Sequence, residues 1–343
     1  AALQIFQSTD NPGGCADCHG VLMSVYSSVG DLPQRDSALA SAVACARLAN
    51  DTQRVDYYEA NQARYAAMRD VQQSHAQWRQ RFPDDMTGVH PAVSASVYTY
   101  FGVRNYNTGN FGGALEQLNR AFEAANESGQ LLSAVVAAVN AGGTYVVLND
   151  HDAALEWLQQ GLELARPTGW ALALGPCLRQ MGEVMRAMGR LEAAQSLLEE
   201  AMQVYQPLRN SRNFTMVLTA LGDLALTRGD YPKALEHFRR QAERAQHLAQ
   251  TDSAMEGQLG IANTLLHMGQ DAEAEDLATG AWRLAGEQGA VLHAISALRL
   301  LARVHGGRGH HGAATECLEK ALETARTVDG YLIPSELLFS LAQ

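Results

Sequence analysis

Residues 222–238 read GDLALTRGDYPKALEHF, and this stretch decides the fold. Gly229-Asp230 is a turn signal, because glycine tolerates the positive φ of a tight inter-helix connection. The same signal recurs at Gly109-Asn110, Asn149-Asp150, Gly189-Arg190, Gly269-Gln270 and Gly309-His310, always at the same spacing. Three columns keep that register. Seven residues before the turn stand Gly102, Gly142, Gly182, Gly222, Ala262 and Ala302. Five after it stand Ala114, Ala154, Ala194, Ala234, Ala274 and Ala314. Twelve after it stand Ala121, Gly161, Ala201, Gln241, Ala281 and Ala321. Small residues in fixed columns mean helices that cross closely, where a larger side chain would push the backbones apart.

Apolar residues fill the space between the columns at helical spacing. Ala114, Leu115, Leu118, Ala121 and Phe122 form one face; Ala194, Leu197, Leu198, Ala201 and Val204 form another. Each unit therefore reads as helix A, a short turn, helix B and a loop. The loops carry helix stops at Asn126-Glu127-Ser128-Gly129, Pro167-Thr168-Gly169 and Glu287-Gln288-Gly289. Residues 1–90 are expected to be divergent N-terminal repeats, with turns at Gly30-Asp31 and Arg69-Asp70, small residues Ala38, Ala42 and Cys45, and helix-B residues Ser74 and Trp78. Residues 91–330 are expected to hold six regular 40-residue repeats, which makes about eight units in all. Residues 331–343 read as the start of a ninth helix A or a capping helix, cut short. Residues 1–8 read as the tail of a helix B, so the expectation is a segment of a longer protein.

Composition agrees with an all-α chain. Of 343 residues, 55 are alanine, and only 7% are aromatic. There are 37 acidic and 26 basic residues, for a net charge of −11. That balance argues against nucleic acid and anionic membrane as partners, since both demand clustered Lys and Arg. The five cysteines are odd in number and scattered, which suits a reducing, cytoplasmic compartment. Leu131–Leu148 is apolar and uncharged but contains Asn140, Gly142 and Gly143. It is expected to be a buried helix rather than a membrane span.

At this point the columns resemble tetratricopeptide repeats. Gly222, Gly229-Asp230-Tyr231, Ala234 and Phe238 fit that family's pattern, as do Gly109-Asn110-Phe111, Ala114, Leu118 and Ala121. Gln241, and His151, Leu191, Asp271 and His311 at the turn aromatic, depart from it. The Gly/Ala columns favour this family over HEAT or armadillo repeats of similar length. The 40-residue period resembles the long-helix subclass of bacterial signalling proteins, which includes regions before GGDEF-type diguanylate cyclase domains, maltose-activator-type regulators and peptide-pheromone receptors. The resemblance implies a right-handed α-α superhelix with helix A on the concave side. It also places groove residues at the tenth, sixth and third positions before each turn: Thr99, Val103, Tyr106; Val139, Gly143, Val146; Arg179, Glu183, Arg186; Thr219, Asp223, Leu226; Leu259, Asn263, Leu266; and Arg299, Arg303, Gly306.

The groove candidates carried forward are Arg179, Glu183, Arg186, Asp223, Asn263, Arg299 and Arg303. A guanidinium can hold a carboxylate bidentately, and an asparagine amide can bond a peptide backbone. The opposing reading pairs these arginines with Glu183, Asp223 and Glu256. Two other motifs carry chemistry in principle. Cys15-Ala16-Asp17-Cys18-His19 spells the c-type haem attachment signature, but it falls on a helix where cysteine also serves as a small apolar filler. His305–His311 is histidine-rich but coincides with the last turn, where Arg308-Gly309-His310-His311-Gly312 reads as an exposed, flexible tip. No cofactor and no metal are therefore expected. There is no GxSxG, HExxH or P-loop, so no catalytic residue is assigned and this segment is not read as an enzyme.

The expected function is a regulatory module that binds a peptide, protein or small ligand in its groove and serves a C-terminal diguanylate cyclase output domain. The alternatives are the sensing domain of a transcription regulator and a pure interaction scaffold. A homodimer through the apolar C-terminal edge, Leu332, Leu337, Leu338 and Leu341, is a further expectation.

Overall fold

The computed structural model describes residues 1–29, 31–67, 82, 86–107, 109–209, 211–248 and 250–326. The expected features at Gly30, at Arg69-Asp70, Ser74 and Trp78, and at Leu332, Leu337, Leu338 and Leu341 lie outside the described residues. The described part is all-α: α1 (Ala2–Ser8), α2 (Pro12–Val29), α3 (Leu32–Leu48), α4 (Thr52–Ala67), α5 (Pro91–Asn107), α6 (Phe111–Glu127), α7 (Leu131–Val147), α8 (His151–Ala165), α9 (Ala171–Ala187), α10 (Leu191–Tyr205), α11 (Arg212–Thr227), α12 (Tyr231–His247), α13 (Thr251–His267), α14 (Asp271–Gln288), α15 (Val291–Gly307) and α16 (His311–Arg326). No strand occurs among the described residues. The helices pair as sequential hairpins, the fold class of a tetratricopeptide-repeat solenoid. Two compact units form, one of Ala1–Tyr106 and Asn110–Gln180, the other of Asn107–Gly109 and Met181–Gln343.

One local device ends the A helix of every regular repeat. Gly109, Asn149, Gly189, Gly229, Gly269 and Gly309 have φ of 76, 59, 74, 75, 74 and 76°. The next residue's N–H reaches back five residues: Asn110 to the Asn105 carbonyl (2.8 Å), Asp150 to Tyr145 (2.9 Å), Arg190 to Met185 (2.8 Å), Asp230 to Ala225 (2.9 Å), Gln270 to Leu265 (2.9 Å) and His310 to His305 (2.9 Å). This is the 6→1 bond of a Schellman turn, which needs a left-handed residue at its centre. Asn110, Asp150 and Asp230 then cap the following helix by accepting from the N–H three residues on. The Gly-Asp dipeptide therefore stops one helix and starts the next.

The small column at the seventh residue before the turn works by contact. A Cβ built on Gly102, Gly142 or Gly182 would lie 2.6, 2.7 or 2.7 Å from Cγ of Leu118, Leu158 or Leu198. On Gly222 it would lie 2.7 Å from Cε1 of Phe238. Each glycine lets the large residue of the partner helix seat on bare backbone. Leu118, Leu158, Leu198 and Phe238 are consequently almost wholly buried. In the fifth regular hairpin Ala262 replaces glycine, and its counterpart at that place shrinks to the buried Ala278.

Departures from the repeat are absorbed locally. The Phe238 ring is larger than leucine, and Gly260 on α13 also abuts it. The residues matching Gly260 in other regular repeats are Tyr100, Asn140, Gln180, Ala220 and Leu300, all with side chains. Gln241, in a small-residue column, is fully buried, and its Nε2 donates to the Ser253 carbonyl at 3.0 Å. Close approach there is possible because Gly257 faces Ala242, where an added Cβ would lie 2.9 Å from the alanine methyl. The apolar stretch forms α7, 17 residues long with Ala134, Val135, Ala137, Ala138 and Ala141 buried. Among the described residues no helix is long and apolar enough to cross a membrane.

Glycine substitutions test the docking rule. Gly222→Ala should destabilise by about 1–3 kcal/mol through overpacking against Phe238. Gly306→Ala, with nothing within 4 Å of its added methyl, should be neutral or stabilising by up to about 1 kcal/mol through helix propensity. Thermal unfolding followed by circular dichroism reads both signs.

Candidate functional site

In the second unit, three A helices expose one face to a cavity of about 490 Å³. α11 contributes Thr219 and Asp223, α13 contributes Glu256, Leu259 and Asn263, and α15 contributes Leu292, His293, Ser296, Arg299 and Arg303. Counted back from each turn, these are the seventeenth, thirteenth, tenth and sixth positions, with His293 beside them. Each helix therefore presents a single stripe. Gly260 also lines the cavity, and its missing side chain brings the Phe238 ring into the floor.

Four of the seven groove candidates meet here: Asp223, Asn263, Arg299 and Arg303. Glu183 and Arg186 are not among the lining residues, but both charges act on Asp223. Arg179 lies in the first unit, on α9, half-buried. Thr99, mapped to the groove by resemblance, is instead 3% exposed and donates its hydroxyl to the Ala95 carbonyl. The mapping missed Glu256, Ser296, Leu292 and His293. The first two lie about one helical turn before the tenth position, on the same face, and helical periodicity alone could have found them.

The site has an acidic and a basic wall. Asp223 and Glu256 face it from α11 and α13, and Glu256 Oε1 lies 3.8 Å from His293 Nε2. Burial pushes the Asp223 carboxyl up to about 6; Arg186 opposes that rise, and Glu183 and Glu256 add to it. Arg303 donates from Nη1 to Asn263 Oδ1 at 2.7 Å, and its Nη2 lies 3.3 Å from His267 Nε2. Arg186 donates to Thr227 Oγ1 at 3.3 Å. Arg303 and Arg186 thus bond neutral groups, so their charge is not cancelled by these bonds.

A second concavity, of about 640 Å³, lies between α10 and α12 and is lined by Glu199, Met202, Leu221, Lys233 and His237 among others. Its lysine and arginine are already engaged: Lys233 with Asp230 at 3.0 Å and Arg228 with Glu192 at 3.6 Å. It is therefore the weaker candidate for a charged ligand.

The two motifs outside the groove have structural employment. Asp17, inside the CxxCH motif on α2, takes a two-pronged bond from Arg54 of α4, 2.9 Å for each prong. Tyr58 adds a hydroxyl bond to Asp17 at 3.3 Å. Cys15 is buried, Cys18 half-buried, and both are free thiols. Burial lowers the His19 pKa, which disfavours its charged form. Among the described residues no three His, Cys, Asp or Glu side chains are placed to hold a metal. At the histidine-rich turn, Arg308 is held by Glu275 and lies 3.8 Å from Asp271, both on α14. The arginine expected on a free tip is an inter-helix tie.

Comparison with known proteins fits this geometry. Residues 90–247 match the family model described as a MalT-like TPR region, and residues 295–320 match one described as a tetratricopeptide repeat. The chain belongs to the tetratricopeptide-repeat family. The repeats within residues 90–247 are of the MalT-like kind. Similar solved structures include the apo form of RapI, at 14% identity and a TM-score of 0.59, covering 79% of this chain and 97% of that one. A Rap protein complexed with competence and sporulation factor gives 13% identity and a TM-score of 0.59, covering 91% and 80%. NprR in complex with its cognate peptide NprX gives 11% identity and a TM-score of 0.57, covering 91% and 83%. These likenesses concern the fold. No curated protein matches the chain in sequence.

Asp223 makes the site pH-sensitive. Its folded-state pKa of about 6 lies above the unfolded value near 3.8, so folding favours the protonated acid. The cost of ionisation is absent below about pH 4 and grows as pH rises through 6. Asp223→Asn should therefore match the parent near pH 4 and exceed its stability by on the order of 2 kcal/mol at pH 7. Denaturant unfolding at the two pH values measures this. A carboxyl ¹³C titration should show the midpoint rise in Arg186→Met and fall in Glu256→Gln.

Proposed function

We propose that this chain is the peptide-binding regulatory module of a bacterial multidomain signalling protein. The observation that carries the reading is the two-signed cavity on α11, α13 and α15. Its floor is apolar, Arg299 and Arg303 lie at one end, and Asp223 and Glu256 lie toward the other. An extended peptide suits it, with a carboxylate toward the arginines, an amine toward the acids and its backbone near the Asn263 amide. The Rap and NprR structures, solved as complexes with competence and sporulation factor and with NprX, support a peptide as occupant. The output domain served is, in this reading, a C-terminal diguanylate cyclase, on the resemblance of the 40-residue repeats. The MalT-like match favours one second reading, the sensing domain of a transcription regulator.

Fluorescence polarisation against a library of labelled octapeptides tests the module. At least one peptide should bind, and Arg299→Glu with Arg303→Glu should weaken it at least about tenfold, since charge-assisted bonds are worth about 1.5–3 kcal/mol each. Lys233→Ala, on the second concavity, should leave binding unchanged. Binding insensitive to the arginines would overturn the groove as the site. The reading frame after Gln343 tests the output domain separately: a helix-turn-helix there would replace the cyclase by the second reading.

A further inference from the structure

Arg303 sits at the edge of the cavity with its guanidinium plane fixed by two neighbours. Asn263 Oδ1 accepts from Nη1, and His267 Nε2 lies 3.3 Å from Nη2. Arginine has donors only, so His267 must offer the Nε2 lone pair and carry its proton on Nδ1. The imidazole is itself held by Tyr231 of α12, stacked at 6.0 Å between centroids and 18° between planes. Burial, and then the Arg303 charge, lower the His267 pKa and keep the ring neutral. Two of the five guanidinium donors thereby go to neutral acceptors; the remaining three have no partner among the described residues, and Arg303, which lines the cavity, keeps its positive charge.

We infer that His267 is a positioning residue: braced by Tyr231, it orients Arg303 so that its remaining donors receive a ligand carboxylate. The inference rests on the peptide-binding reading for its ligand but not for its geometry. His267 stands two residues before its turn, outside the groove stripe, and acts only through Arg303. Two neutral partners hold one cation, which is what a preorganised anion anchor requires. An acidic partner in place of Asn263 or His267 would have cancelled the charge.

The test has a ligand-free arm and a ligand arm, both on the full chain. ¹⁵N spectra of histidine-labelled protein should show His267 as the Nδ1–H tautomer, and an Nε2–H tautomer would overturn the inference whether or not any peptide binds. In the second arm, glutarate is titrated while the Arg303 Nε–Hε signal is followed, with glutaramide as the neutral control. His267→Phe keeps the stack and loses the acceptor, and should weaken glutarate about three- to tenfold, the value of one hydrogen bond. His267→Gln restores an acceptor and should recover most of that loss. Unchanged melting temperatures exclude a merely structural effect. Equal glutarate affinity in the parent and both variants would overturn the positioning role. An amidated peptide with one glutamate, and a peptide with a free terminus and no acid, separate the two sources of carboxylate. Response to neither would overturn the carboxylate assignment, while failure of the octapeptide screen alone would sink only the broader reading.

Discussion

The seating of one large side chain on the bare backbone of its partner helix is the contact on which this structure depends. In four hairpins a glycine seven residues before the turn receives Leu118, Leu158, Leu198 or Phe238. The distances leave no room for a methyl, so helix spacing is set by backbone rather than by a compressible side-chain layer. A repeat protein stacks similar units, and an error in spacing would propagate along the array. The Schellman turn fixes the second parameter, the direction in which helix B leaves helix A. Together they explain why one period runs through the regular repeats without a slip.

Most of this was legible because it is local or periodic. The turn glycines, the capping Asp and Asn residues, and the small columns are properties of short segments. Asn149 shows the limit of a glycine rule and its reason: asparagine also tolerates the left-handed region, and its φ of 59° sits among the glycines. Contacts between helices were less legible. Gly260 has meaning only beside Phe238, and Gly257 only beside Ala242, with no motif joining either pair along the chain. The Arg308 tie to Glu275 is of the same kind. Half of the groove stripe follows from family positions; the half at the thirteenth and seventeenth positions before the turn does not. The expected arginine–carboxylate pairing also differs at Arg303, which bonds an amide and an imidazole.

Fold and site compete for few positions. Helix A gives one face to its own hairpin and another to the neighbouring repeat, and both are committed to small or apolar residues. The stripe that lines the cavity is what remains. Variation is tolerated there because it meets solvent rather than backbone. Exceptions to the packing rules touch the same region: Gly260 accommodates Phe238 and at the same time opens the cavity floor.

That freedom produces a gradient. At the sixth position before successive turns of the second unit stand Glu183, Asp223, Asn263 and Arg303. The column passes from two acids through an amide to a base. Asn263 accepts from Arg303 and so separates the cation from the acids without neutralising it. Asp223, between Glu183 and Glu256 and partly buried, holds its proton to about pH 6. Burial, with Glu183 and Glu256 adding to it and Arg186 opposing it, disfavours the carboxylate at the acidic end, and an incoming cation would relieve that cost while the arginine end retains its charge. Strain at one end and preorganisation at the other both favour an occupant that carries opposite charges at its two ends, which is the electrostatic form of a short peptide.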